Sequence, residues 1–204
     1  MRVAGTGDAL DWSARVSSHA ARAIALLPWL LLGGCTGEQG VARDWVHSPA
    51  AVRADLTVAV LPFENLSAYP NAGQVVAELL STELYARGLF RVLEASELRG
   101  RLAARKLDPD TIARTAAAEV AAALGVDAVL TGSVSEFGYQ HGLKEEPTVG
   151  INLRLITLDD ADVVWAASHA DAGRGLLHRD SLAATAQRVV IEMVDALEAR
   201  RAGS

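Results

Sequence analysis

Leu56-Thr57-Val58-Ala59-Val60-Leu61-Pro62-Phe63 is an apolar run rich in β-branched residues and closed by proline. Such a run reads as a central strand buried on both faces. The stretch from Glu64 to Gly73 is dense in turn formers. From Gln74 to Arg87 the apolar spacing becomes helical, with Val76, Leu80 and Leu84 on one stripe and Gly88 as the stop. Leu89–Leu93 predicts a short strand, and Ser96 is placed to cap a helix over Glu97–Lys106. Asp108-Pro109-Asp110 breaks the chain, and an alanine-rich helix is expected from Thr111 to Leu124, ending at Gly125. Asp127–Gly138 alternates as a strand, as does Val149–Leu155. After a turn at Asp159–Asp162, Val163–Ser168 returns antiparallel. Leu182, Ala186, Val189, Met193 and Leu197 mark a last helix from about Leu176 to Arg200. The expected fold is α/β, a single-layer mixed sheet with helices packed on it. Its order is β-α-β-α-α-β-β-β-α, with a C-terminal antiparallel meander and a final helix.

The amino-terminal pattern is of another kind. Arg15 and Arg22 precede an apolar run, Ala23 to Leu32, followed by Gly33-Gly34-Cys35. The run is too short for a bilayer core, which needs about 20 residues. A positive flank, a short apolar segment and small residues before a cleavage point describe a secretory signal. The chain thus divides into a signal peptide (1–34), a tether (35–54) without clear periodicity, and one domain (55–204). A leucine three residues before cysteine, with Gly-Gly between, resembles the bacterial lipobox. That resemblance implies cleavage between Gly34 and Cys35, a thioether lipid on Cys35, and membrane contact through that lipid. Thr36 rather than an aspartate after the cysteine fits outer-membrane sorting.

Cys35 is the only cysteine, so no intrachain disulfide and no thiolate metal site is available. Three of the 19 basic and two of the 25 acidic residues lie in the leader. The remainder is acidic and without basic clusters, which argues against a nucleic-acid partner and against electrostatic attachment to anionic lipid.

Val58–Asn65, Gly125–Val134 and Asn152-Leu153-Arg154-Leu155, taken in this element order, resemble the curli secretion lipoprotein CsgG superfamily. Its smaller relatives include the LpoB activators of penicillin-binding proteins and the related amino-terminal domain of TolB. The resemblance covers roughly Asp55 to Arg200. It implies the fold, an envelope location on the periplasmic face of the outer membrane, and an envelope protein partner. Pore-forming members extend two hairpins across the membrane, and a transmembrane strand needs about 9 to 11 residues. The corresponding connections here, Tyr139–Thr148 and His169–Asp180, are short and charged, so the channel is not carried over.

The expected role is therefore a non-enzymatic, lipid-anchored adaptor or regulator of an envelope assembly or secretion machine. The alternative is a ring-forming, homo-oligomeric periplasmic subunit of a secretion complex. No catalytic motif, cofactor loop or metal motif is present in the sequence. His169, Asp171 and His178 could suggest zinc, and Asp159, Asp160 and Asp162 a cation, but solvated loops explain both sets. Phe63, Leu66 and Tyr69, at the carboxyl end of the first strand, are the candidate partner-binding residues, because ligands of open α/β sheets gather at that edge.

Overall fold

The computed structural model describes residues 43–47, 51–108, 111–112, 115–141, 145–159, 161–173 and 180–202. Gly34, Cys35 and the whole signal segment lie outside these residues, as does His178. All described residues fall in one compact unit. None of their helices is long and apolar enough to cross a membrane.

The elements in chain order are strands β1 (Arg43–Val46), β2 (Thr57–Val60) and β3 (Glu64–Asn65), helix α1 (Ala72–Arg87), β4 (Arg91–Val92), α2 (Ala95–Ala104), α3 (Ala117–Leu124), β5 (Ala128–His141), β6 (Glu145–Thr157), β7 (Val163–Ala172) and α4 (Leu182–Ala202). Without β1 and β3 this is the expected order. The seven strands form one mixed sheet, β1-β7-β6-β5-β2-β4, with β3 beside β5. β2 runs parallel to β4 and β5. β5, β6, β7 and β1 are successively antiparallel.

Two-sided burial of β2 follows from helices on both faces. Val58 and Val60 join the larger core, under α1 and α4. Ala59 and Leu61 join the smaller one, under α2 and α3. The second pair of helices covers the parallel half and the end of β6 around Ile156. Beyond it, the face carrying Asn152, Arg154, Ser168 and Ala170 is half-buried to exposed.

Four details differ from the sequence reading. Arg43–Val46, assigned there to the tether, form an edge strand in register with Trp165–Ser168. Arg200 on α4 clasps Asp44 of this strand with bonds of 2.8 and 3.1 Å. The meander is longer than expected. β5 and β6 run through most of the Tyr139–Thr148 connection, with Pro147 opposite Tyr139, and β7 absorbs His169–Ala172. α2 is capped by Glu94 rather than Ser96, its carboxylate accepting from the Ser96 and Glu97 amides. The alanine-rich helix proper starts only at Ala117.

Candidate functional site

β2 delivers the chain to its carboxyl end, where Leu61 donates its N–H to the Leu130 carbonyl at 2.9 Å. β3 follows at once. The loop after it is held by one side chain. Asn65 donates through Nδ2 to the Tyr69 carbonyl (2.8 Å), and its Oδ1 accepts from the Ser67 amide (3.1 Å) and hydroxyl (2.7 Å). This is an Asx-type turn, in which a short amide replaces backbone pairing. Asn71 then takes a left-handed φ of 61° to start α1. Gly73 lets the first turn of α1 lie directly against the strand end, since a Cβ there would run into the Phe63 carbonyl oxygen.

This frame sorts the three candidate residues. Phe63 is 6% exposed and belongs to the core, so its side chain presents no docking surface. Leu66 and Tyr69 are 59% and 45% exposed. The Tyr69 ring lies 5.1 Å from that of Phe137, tilted by 54°, which fixes its position while leaving one face in solvent.

Behind the loop lies a groove of about 850 Å³. Its floor is the uncovered sheet face, with Thr131, Ser133, Asn152 and Arg154, and its walls are the starts of α1 and α3. Asn152 approaches the Ser133 hydroxyl at 3.4 Å. Amides, hydroxyls, the exposed Glu64 carboxylate and the exposed Arg154 guanidinium make a hydrogen-bonding surface. Among the described residues no histidine or cysteine lines it.

His169 and Asp171 sit elsewhere, on the side of β7 facing α4. His169 is 2% exposed, and its Nε2 lies 2.6 Å from the Glu192 carboxylate, without hydrogen-bond alignment. Asp171 accepts from Arg188 at 2.7 Å. Burial pulls the Arg188 pKa down, but Asp171 and Asp180 more than offset it and hold it above its ordinary value. These residues bind α4 to the sheet instead of forming an exposed loop cluster. Among the described residues no group of three or more His, Cys, Asp or Glu could hold a metal.

Sequence reasoning missed Tyr139, 48% exposed on β5; Trp45, visible in the sequence as a bulky apolar residue of the tether, is 51% exposed on β1. The i, i+2 spacing of Phe137 and Tyr139 carried the signal for Tyr139.

An open mixed sheet with α1 and α4 on one face and α2 and α3 on the other defines a class of α/β domain. Within that class the chain belongs to the CsgG family: residues 38–190 match the family described as curli production assembly/transport component CsgG. No curated protein matches by sequence. Among solved structures, the PelC dodecamer from Paraburkholderia phytofirmans is 25% identical, covers 78% of this chain and 97% of its own, and has a TM-score of 0.58. Lipoprotein GNA1162 from Neisseria meningitidis is 20% identical, with 73% and 99% coverage and a TM-score of 0.56. The LpoB C-terminal domain from Salmonella enterica is 15% identical, with 72% and 93% coverage and a TM-score of 0.44.

Proposed function

We propose that the chain is a lipid-anchored, non-enzymatic adaptor or regulator on the periplasmic face of the outer membrane, serving an envelope assembly or secretion machine through protein contact. The carrying observation is a juxtaposition. A family match to an assembly and transport component begins at residue 38, three residues after the lipobox-like Leu-Leu-Gly-Gly-Cys35. GNA1162, which shares the fold, is itself a lipoprotein. A single acyl chain anchors only marginally, so the modified Cys35 would carry more than one.

The groove and the Leu66–Tyr69 loop support contact as the mode of action. A second reading, a ring of identical subunits, is favoured by one observation: the similar PelC forms a dodecamer. Pore formation by this chain alone has little support. The β5–β6 hairpin continues past the Val134/Glu136 irregularity for only six residues of β5, against about 9 to 11 for a membrane strand.

The test is an envelope pulldown with the wild type, Cys35→Ala and the double variant Leu66→Asp/Tyr69→Ala. The adaptor reading expects a defined envelope protein with the wild type, lost or strongly depleted with both variants. Recovery of the same proteins at equal yield with all three would overturn it.

A further inference from the structure

The outer side of β5 is used only in part. β2 pairs with Ala128–Leu130 and β3 with Ser133–Val134. Leu66 donates its N–H to the Val134 carbonyl at 2.9 Å, and the chain then turns away through the Asn65 loop. β5 continues to His141, paired on its other side with β6 throughout. From Glu136 to His141 its outer side therefore has no strand partner among the described residues. A strand paired on one side only presents a row of free N–H and C=O groups.

The register shows which groups these are. Val134 points its carbonyl outward to Leu66. The irregularity between Val134 and Glu136 adds one residue, so Val134 and Phe137, three apart, both face the larger core. The backbone groups of Phe137 and Tyr139 thus take up the outward side.

The two faces beside this edge differ in chemistry. On the core-side face lie Phe137, Tyr139 and the Tyr69 ring tilted against Phe137. On the opposite face, Glu64 pairs with Ser133, Glu136 with Gly150, and Glu146 with Gln140, and all three glutamates are exposed. No Lys or Arg occurs within 63–71, 133–141 or 145–150; Lys144 lies outside the described residues.

We propose that this edge of β5 accepts, by strand addition, an extended segment of a partner protein that alternates apolar residues with Lys or Arg. Side chains of an added strand alternate between the two faces. Its apolar residues would lie against Tyr139 and Tyr69, and its basic residues beside Glu136, with the Glu146 charge one strand further away across β5. Main-chain bonds would supply affinity and the alternation specificity. The proposal rests on the adaptor reading and names the chemistry of the partner.

The test uses the full-length chain in detergent and ten-residue synthetic peptides, one alternating valine and lysine, one alternating valine and glutamate. Hydrogen exchange of residues 136–141 is followed by mass spectrometry. The valine–lysine peptide is expected to slow exchange there at least tenfold. Glu136→Lys/Glu146→Lys should abolish that protection, and the valine–glutamate peptide should give none. Absent protection, equal protection by both peptides, or an edge already protected without peptide because a second copy occupies it, would each overturn the proposal. An envelope partner captured equally by wild type and Glu136→Lys/Glu146→Lys would overturn it too, while leaving the adaptor reading intact.

Discussion

At the scale of single residues, two positions control how the ends of elements are set. Gly73 sits where α1 meets the carbonyl oxygen of Phe63, a rigid backbone atom that cannot swing aside. Gly73→Ala must shift the first turn of α1, and a loss of about 1 to 3 kcal/mol is expected in urea unfolding. An unchanged midpoint would mean that the helix start slides at no cost. Glu94 sets α2. The Ser96 hydroxyl foremost, then the Ser96 and Glu97 amides, hold its carboxyl below the usual carboxylate range against the opposing effect of desolvation. A lowered folded-state pKa means that the ionised cap stabilises the fold at pH above the unfolded value. That contribution is lost as pH falls through the folded value. Amide shifts of Ser96 and Glu97 in a pH titration should therefore move below the ordinary glutamate pKa of about 4.3; a midpoint above it would contradict the cap.

At the scale of elements, packing and polar ties divide the work. β5, β6 and β7 meet α4 through Leu130, Leu153, Leu155 and Trp165, all buried in the larger core. Leu153→Ala or Leu155→Ala should cost about 2 to 5 kcal/mol, the range for a large-to-small change at a buried site. Polar ties then set the angle of α4. Arg87 on α1 reaches Asp195 and, at 2.9 Å, Glu198 on α4, and Asp171 on β7 holds Arg188. Their worth depends on burial. Asp171→Ala leaves a part-buried guanidinium short of a partner and should cost up to about 3 kcal/mol. Asp55→Ala, which breaks the exposed pair with Arg53, should cost about 0 to 1 kcal/mol. Equal losses in thermal or urea unfolding would refute this ordering.

The elements also show what was legible in the sequence. β2 could be read because helices cover both of its faces, so nearly every residue in it is apolar. The final helix could be read from its stripe. β1 could not, since it is a four-residue edge strand with alternate positions exposed, and its partners Trp165–Ser168 lie more than a hundred residues away. The far ends of β5 and β6 escaped for a similar reason: Gln140, Glu145, Glu146 and Pro147 look like loop residues unless the pairing is known. Of the candidate site, Leu66 and Tyr69 were visible as bulky residues in a turn-rich stretch, but the inward turn of Phe63 was not. The groove draws on four separate segments, near residues 61–74, 112–120, 131–133 and 152–154, and no local pattern reports such a meeting.

At the scale of the whole molecule, the account is of a folded contact module held close to a membrane. Arg43 enters the sheet eight positions after Cys35. An extended chain spans at most about 3.5 Å per residue, so a lipid on Cys35 would keep β1 within about 28 Å of the bilayer surface. Partners would have to be reached there rather than in free solution. The most direct measurement is intact-mass spectrometry of the protein recovered from its own envelope, combined with membrane flotation of wild type and Cys35→Ala. The account predicts a wild-type chain beginning at Cys35, carrying acyl mass on that residue and floating with outer membrane, and a variant that does not float. An unmodified chain that retains residues 1–34, or a variant that floats as well as the wild type, would contradict it.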